Sequence, residues 1–247
     1  WSWFVNFVFK DKAIRGMAVV VPENERFFVD DMKSFNFSEA RSRKLQSVMG
    51  YERHRVVQSN VCSSDLAIHG FNHLFTSGRI AQDSIDALVV VSLTPDHFLP
   101  SLSWIMHGKL GLPQRTVCFD VTQGCCGFVM GLIQSFMLLD QPHIRRVALV
   151  NVDVLSKKVS ESDRNSYPLI GDAASITIVE NECDAGSVYA DVQLDGSRCM
   201  ALKIPAGGFR LPSSDATGVL VEDEEGNRRS LDNLVMDGSA VFNFVMQ

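Results

Sequence analysis

The chain has 247 residues, 46% hydrophobic and 21% charged, which is enough for a sizeable core and is typical of a globular protein. Its formal net charge of −6 argues against nucleic acid or an anionic membrane surface as the main partner. No apolar run reaches the ~18 residues of a membrane span. The opening segment WSWFVNFVF lacks the basic region and cleavage site of a signal peptide, and we interpret it as an edge strand or an interface segment.

Apolar patterning predicts alternating strands and helices up to about residue 180. In chain order we expect a strand at 13–24, a helix at 63–80, a strand at 86–95, a helix at 101–112, a strand at 116–121, a helix at 125–139, and strands at 145–155, 174–180 and 187–194. The β-branched runs are typical of strands that are buried on both faces. This order predicts an α/β fold with a mostly parallel sheet.

The last part of the sequence is less regular. The segment 211–233 is polar and predicts a surface excursion, whereas 235–247 starts a helix-like stretch in which the chain stops. We therefore expect part of the natural protein to lie beyond this sequence.

Six cysteines are scattered along the chain, without a CxxC pair or the Cys and His spacing of a zinc site. This usage predicts free thiols in a cytoplasmic protein. The sequence has no GxGxxG, P-loop, HExxH or GxSxG pattern, so we predict no bound cofactor, no metal and no serine nucleophile.

The stretch FDVTQGCCGF at 119–128 places Cys125 and Cys126 between a predicted buried strand and a predicted buried helix. One interpretation is that both thiols fill space at a crowded junction, since free cysteine is often buried. The other is that one of them is a nucleophile. Backbone N–H groups and the positive end of a helix dipole would then stabilise its thiolate and an attacked carbonyl oxygen, and Gly124 and Gly127 would leave room for an acyl chain.

The stretch DVTQGCCGF resembles the active-site segment of the thiolase-like condensing enzymes, most closely the β-ketoacyl-acyl-carrier-protein synthase III family. Asp120, Cys125 and the pair Gly127-Phe128 match the pattern, with Cys126 in the slot of a small residue. Four further stretches agree in order and spacing: GYERHRVV (50–57), SIDALVVVSLTPDHFLPS (84–101), VNVDVLSKKVSESDRNSYPLIGDAASITIVE (150–180) and MDGSAVFNFVM (236–246).

The resemblance implies two pseudo-symmetric α/β halves, of which residues 13–185 would form the first and 186–247 the truncated start of the second, assembled as a homodimer. It also implies the chemistry: Cys125 takes an acyl group as a thioester, and malonyl-acyl carrier protein loses carbon dioxide and attacks the acyl-enzyme. The His and Asn that the family uses in this second step would lie beyond this chain.

The resemblance further implies where substrate binds. We predict Cys125 as the catalytic residue and Arg164, Arg53, Leu99, Gly127 and Phe128 as substrate-binding residues. Family members that use coenzyme A hold its adenine between a Trp and an Arg. Arg164 matches that Arg, but counting back from Gly50 puts Lys44 in place of the Trp, and a second family Arg falls on Val48.

The acyl donor is therefore either an acyl-coenzyme A or an acyl carrier protein, with the carrier favoured. Leu99 stands where the family often has a bulky aromatic residue, and this would leave space for a longer or branched acyl group. Two alternatives stay open: acyl transfer to an acceptor other than malonyl, and a non-catalytic partner subunit.

Overall fold

The computed structural model describes residues 5–246. The helices are α1 (Phe28–Asp31), α2 (Glu39–Met49), α3 (Ser63–Thr76), α4 (Leu102–Leu110), α5 (Gly127–Leu139) and α6 (Gly238–Val245). The longer strands are β1 (Val5–Lys10), β2 (Lys12–Val20), β5 (Ala87–Val91), β6 (Val117–Val121), β7 (Arg146–Asp153), β8 (Ala173–Asn181) and β9 (Ser187–Val192). The shorter strands are β3 (Glu25–Phe27), β4 (Arg53–Arg55), β10 (Leu202–Lys203), β11 (Val221–Glu222), β12 (Arg228–Arg229) and β13 (Val235–Met236).

The chain folds into two compact units. The first contains residues up to 22, 58–154 and 172–193, and the second contains 23–57, 155–171 and the residues from 194 onward. Each unit is thus assembled from three separate segments. The pseudo-symmetric halves at 13–185 and 186–247 remain a prediction, because these compact units follow a different division of the chain.

The first unit is built on a five-stranded sheet in the order β2-β8-β7-β5-β6. β5, β6 and β7 are parallel, whereas β8 runs antiparallel to both β7 and β2. The sheet is therefore mixed, and the α/β architecture agrees with the sequence. All five residues of β5 are buried, as the sequence predicts for a central strand.

Helices cover both faces of this sheet, and glycines let them approach closely. A Cβ on Gly131 of α5 would lie 2.5 Å from Leu149 Cδ1, and a Cβ on Gly70 of α3 would lie 2.8 Å from Ile176 Cδ1. Ile176 pairs with Val150, the neighbour of Leu149, and neighbouring residues of a strand point to opposite faces. α3 and α5 consequently pack on opposite faces.

β6 differs from its prediction as a buried strand. It lies at one end of the sheet, with Val117 exposed and Cys118, Phe119, Asp120 and Val121 half-buried. The run TVCFDV is as apolar as that of a central strand. Among the described residues, however, β6 pairs with a strand on one side only, and this leaves its side chains partly exposed.

The first unit also holds a two-stranded ribbon of β1 and β9, paired antiparallel from Val5 and Val192 to Lys10 and Ser187. β9 alternates between exposed and half-buried residues, as an antiparallel strand with one open face does, and it confirms the strand predicted at 187–194. Phe9 of β1 is buried with its ring centroid 5.2 Å from that of Phe136 on α5. The opening segment thus contains a strand from Val5 onward, and residues 1–4 lie outside the described residues.

The second unit has no large sheet among its described residues. Its core contains Phe28, Phe35, Val159, Tyr167 and Leu234. Three short antiparallel pairs, β3 with β4, β10 with β13 and β11 with β12, connect its surface segments. The predicted surface excursion at 211–233 contains the β11–β12 hairpin, and the helix expected after residue 235 is α6. Across residues 5–246 no helix is long and apolar enough to cross a membrane.

Candidate active site and donor groove

Cys125 and Cys126 occupy the centre of a tight turn between β6 and α5. The N–H of Gly127 donates to the Gly124 carbonyl over 2.7 Å and closes this turn. Cys126 has φ −82° and ψ 0°, and its carbonyl accepts a 3.0 Å hydrogen bond from Met130 N, the start of α5. The free N–H groups and the positive dipole end of α5 therefore lie next to both cysteines.

Small residues are required around this turn. A Cβ on Gly127 would lie 2.5 Å from Val91 Cγ1, and a Cβ on Gly124 would lie 3.1 Å from Leu93 Cδ1. Val91 is β-branched and buried, so its rotamer has little freedom to give way. Gly127 thus brings the first turn of α5 against the end of β5. The next residue, Phe128, is half-buried and packs against the core of this unit.

The segment from β6 to α5 carries three thiols, two exposed in the turn and one half-buried on β6. Cys125 and Cys126 are exposed, and Cys126 Sγ donates a weak 3.4 Å hydrogen bond to Gln123 Oε1. Cys118 on β6 is half-buried, and burial together with the carboxylate of Asp120 raises its pKa to about 11. A thiol in that state stays protonated and is a poor nucleophile.

The carboxylates of Asp120 and Asp153 each hold a loop near the carboxyl ends of the parallel strands. Asp120 accepts from Leu102 N at 2.7 Å and from Ser103 N at 2.8 Å, and so caps α4. Asp153 accepts from Leu93 N at 2.8 Å and from the Thr94 hydroxyl at 2.9 Å, although burial raises its pKa above the usual value. These bonds give Asp120 and Asp153 a structural role that the sequence pattern alone did not indicate.

Leu99 lies in an exposed apolar turn of the first unit. Its side chain is 85% exposed, those of Phe98 and Trp104 are 70% and 63% exposed, and the Leu99–Pro100 bond is cis. The predicted substrate-binding role of Leu99 stays a prediction.

The second unit contains a groove of about 640 Å³ beside α2. Arg164, which matches the family's Arg, and Lys44 and Val48, which fall where the family has a Trp and a second Arg, all line it. Two further residues, Phe37 and Arg41, also line the groove and were missed. The helical spacing of Arg41, Lys44 and Val48 puts all three on one face of α2. This spacing is visible in the sequence and could have identified Arg41. The apolar part of the wall comes from Leu45, Met49, Tyr51, Leu169 and Met236.

Arg164 is fixed at the edge of this groove. Its Nη1 donates to the Glu225 carbonyl at 2.7 Å and to Asn227 Oδ1 at 2.8 Å. The ring centroid of Phe37 lies 4.5 Å from Arg164 Cζ, which is a cation–π contact. Phe37 and these acceptors therefore already occupy one face and one edge of the guanidinium.

The predicted substrate contact at Arg53 lies elsewhere in the second unit. Arg53 on β4 donates to both carboxylate oxygens of Glu25 on β3, at 3.0 and 3.2 Å, and Arg55 donates to the same carboxylate at 2.6 Å. Arg53 does not line the groove of Arg164. Glu25 therefore competes with any phosphate for both arginines, and the predicted contact stays a prediction.

His54, between these two arginines, faces acceptors on both ring nitrogens. Nδ1 lies 2.5 Å from the Ile170 carbonyl, and Nε2 lies 3.1 Å from Asp31 Oδ2. The second contact is short but too bent for a well-aligned hydrogen bond. The contact with Asp31, followed by that with Ile170, raises the pKa of His54 above 6.5 despite its burial. Among residues 5–246 no group of three or more His, Cys, Asp or Glu side chains could hold a metal ion.

Comparisons with known proteins agree with this architecture. The family model for 3-oxoacyl-[acyl-carrier-protein] synthase III matches residues 119–196, which include the cysteine turn. A putative 3-oxoacyl-[acyl-carrier-protein] synthase 3 of Campylobacter jejuni is 34% identical over 241 residues, 96% of this chain and 67% of the relative. A β-ketoacyl-[acyl-carrier-protein] synthase III of Fusobacterium nucleatum is 28% identical over 94% of this chain and 67% of its own length.

Solved structures give the same result. The 3-oxoacyl-(acyl-carrier protein) synthase of Burkholderia xenovorans superposes with a TM-score of 0.87 at 27% identity, covering 99% of this chain and 68% of that protein. A second synthase III structure superposes with a TM-score of 0.85 at 27% identity, covering 96% of this chain and 70% of that protein. These neighbours confirm the thiolase-like fold. The chain spans about two thirds of the length of these relatives, 67% in the first two.

The chain therefore belongs to the 3-oxoacyl-[acyl-carrier-protein] synthase III family and is an acyltransferase of the condensing type, as its sequence predicts.

Proposed function

We propose that Cys125 is the nucleophile that accepts the acyl group. The observation that carries this proposal is an exposed thiol in the turn that leads directly into the N-terminus of a 13-residue helix, in a chain of this family. The Cys125 thiolate attacks the thioester carbonyl of the donor, the new C–S bond forms, and the donor thiol leaves with a proton. Backbone N–H groups near the helix start stabilise the oxyanion as it develops.

The acyl-enzyme then condenses with malonyl carried on acyl carrier protein. The bond between the malonyl carboxylate and its α-carbon breaks, carbon dioxide leaves, and the carbanion attacks the acyl carbonyl and expels the Cys125 thiolate. This proposal gives the chain a place in the synthesis of fatty acids or related metabolites. The relatives from Campylobacter jejuni and Fusobacterium nucleatum are both named as synthase III proteins, and these names support this acceptor over a different one or a non-catalytic partner subunit.

Both the first acyl donor and the location of the protein are part of this proposal. We assign the donor as an acyl group on a carrier protein in preference to acetyl-coenzyme A, because Phe37 already covers one face of Arg164 and because Lys44 and Val48 stand where the coenzyme A-binding Trp and second Arg are expected. All six cysteines are free thiols, as expected in the reducing cytoplasm, and we propose that the protein is cytoplasmic. We also propose a homodimer.

The test is transfer of an acyl group to the full chain from acyl carrier protein, followed by intact-mass measurement and peptide mapping. We expect one acyl adduct on Cys125, no adduct in Cys125→Ala and an undiminished adduct in Cys126→Ala. Cys183→Ala, which removes another exposed thiol of the first unit, is the matched control and should keep the adduct. An adduct that maps to Cys126, or one that persists in Cys125→Ala, would show that the assignment is wrong.

A further inference from the structure

The proposed function leaves Cys126 without a role. It is nonetheless an exposed free thiol directly next to the proposed nucleophile, on the same closed turn. The other four cysteines lie apart from this turn: Cys62 before α3, Cys118 on β6, Cys183 after β8 and Cys199 in the short helical segment at 196–201. Positions 125 and 126 thus provide two adjacent exposed sulfurs.

The backbone and side-chain contacts of Cys126 suit a second thiol. Its carbonyl is held by the first hydrogen bond of α5, so the residue has a fixed position, whereas Sγ has only a weak 3.4 Å contact with Gln123 Oε1. The sulfur is therefore able to rotate away from Gln123 at small cost. Cys125 is exposed in the turn that opens α5, and exposed nucleophilic thiols are the ones that peroxides oxidise most readily.

We propose that Cys125 and Cys126 form an oxidant-sensitive dithiol, in which Cys126 resolves the oxidised nucleophile. This inference rests on the proposed role of Cys125. Hydrogen peroxide transfers one oxygen to the Cys125 thiolate, which gives a sulfenic acid and hydroxide. The Cys126 thiol then attacks Cys125 Sγ, the S–S bond forms, and the sulfenic oxygen leaves as water with the thiol proton. Two thiols are oxidised by two electrons, and one peroxide is reduced to two waters.

The adjacency of the two residues makes the resulting disulfide easy to reduce. Consecutive Cα atoms lie about 3.8 Å apart, below the roughly 4.4–6.8 Å that relaxed disulfides span. A disulfide between neighbours is therefore strained, and strained exposed disulfides are the labile ones. The pair would protect the nucleophile from irreversible oxidation to sulfinic acid and would stop acyl transfer until a dithiol reductant restores it.

The first test is oxidation of the full chain by one equivalent of hydrogen peroxide, with intact-mass measurement and peptide mapping. We expect a loss of about 2 Da, from two hydrogens, with Cys125 and Cys126 linked and with full reversal by dithiothreitol. Cys126→Ala should instead gain about 16 Da on Cys125 as sulfenic acid, and about 32 Da as sulfinic acid once a second equivalent of peroxide is added, after which it should recover incompletely. Cys183→Ala and Cys199→Ala are the controls and should behave as the unmodified chain.

A second probe, phenylarsine oxide, tests the dithiol without oxidation, because trivalent arsenic bonds to two neighbouring thiols. We expect one arsenical per chain, removable by a dithiol but not by a monothiol, and loss of binding in both Cys125→Ala and Cys126→Ala. Sulfinic acid on Cys125 without any linked product, or equal arsenical binding by Cys126→Ala, would overturn the proposal. Acylation of Cys125 is measured on the same samples. If Cys125 accepts an acyl group but the dithiol tests fail, the dithiol proposal is wrong and the proposed function is not.

Discussion

Arg164 illustrates how neighbouring residues decide what a functional side chain is free to bind. It keeps its position through Glu225 and Asn227, and the loop that carries it is held by Asp163, which is fully buried and accepts from Arg229 at 2.8 Å. The guanidinium is thus rigid. The Phe37 ring centroid lies 4.5 Å from Arg164 Cζ. A flat ring stacked between the phenyl ring and the guanidinium needs about 7 Å, one stacking distance on each side, and therefore does not fit.

Phe37→Ala should therefore change the choice of acyl donor. We expect the variant to use acetyl-coenzyme A more efficiently relative to acetyl-pantetheine, because adenine gains access to the face of Arg164. Stacking of a base is worth about 1–3 kcal/mol, which corresponds to a roughly tenfold to hundredfold change in kcat/KM. The measurement is the rate of Cys125 acylation by each donor, followed by intact mass.

The matched control for this prediction is Val48→Ala, a truncation of an exposed side chain in the same groove. It should leave the ratio of the two donors unchanged. A fall in acetyl-coenzyme A use in Phe37→Ala, with acetyl-pantetheine unaffected, would contradict the prediction and would identify Phe37 itself as the ring on which adenine stacks.

The sequence allowed part of this groove to be predicted. Counting from Gly50 associated Lys44 and Val48 with Arg164, and the fold brings all three to one groove. Phe37 was missed because its contact with Arg164 joins residues far apart in the chain. The pairing of Arg53 with Glu25 was missed for the same reason, since the register of β3 against β4 is a tertiary property.

At the scale of secondary structure elements, His54 connects three segments of the second unit. It lies on β4, contacts Asp31 at the end of α1, and contacts the carbonyl of Ile170. Its ring also meets Tyr167 edge-on, with centroids 5.2 Å apart. Both nitrogens face acceptors, so the charged imidazolium satisfies them better than the neutral ring. The arrangement is therefore strongest when His54 is protonated.

We expect the stability of the protein to depend on the protonation of His54. Because its folded pKa is raised above the unfolded value of 6.5, its contribution is fully present below that pH and is lost as the pH rises through the folded pKa. Between about pH 5.5 and pH 8.5, the unfolding free energy of His54→Gln should therefore fall less steeply than that of the parent protein. Urea unfolding at the two pH values measures this difference.

The control for this prediction is His143→Gln, because His143 is an exposed histidine that no described element covers. It should show the same pH dependence as the parent protein. If His54→Gln also keeps the parent pH dependence, then His54 does not couple proton binding to folding.

Hydrophobic periodicity predicted where the long helices and strands lie in the sequence, but it did not predict how the strands are arranged in the sheet. α3, α5, β5 and β7 lie where their apolar patterns indicate, because burial on both faces of a sheet leaves a continuous apolar run. A similar apolar run led to the wrong prediction that β6 is a buried strand, whereas β6 is an edge strand. The antiparallel direction of β8 was also not predicted, since strand direction depends on the path of the connecting chain and not on local composition.

At the scale of the whole molecule, one end of the five-stranded sheet is suited to self-association. β6 is an edge strand whose outer backbone groups have no neighbouring strand among the described residues, and Val117 on it is exposed. Phe98, Leu99 and Trp104 add exposed apolar side chains in the same unit. Unprotected edges and apolar patches of this kind usually mark interfaces. We therefore expect the homodimer interface to include the turn at 95–101, with Phe98 and Leu99, and the strand at 116–120, with Val117, while Trp104 on α4 directly follows that turn.

We therefore expect the full chain to sediment at micromolar concentration as a dimer of twice 27.4 kDa. Trp104→Glu and Val117→Lys should each weaken dimerisation by about tenfold or more, because a buried charge in an apolar interface costs at least 1.4 kcal/mol. Met17→Glu is the matched control, since Met17 is equally exposed on β2 at the opposite edge of the same sheet. It should leave the dimer intact. A monomeric full chain, or dissociation caused by Met17→Glu alone, would move the interface away from β6 or remove it altogether.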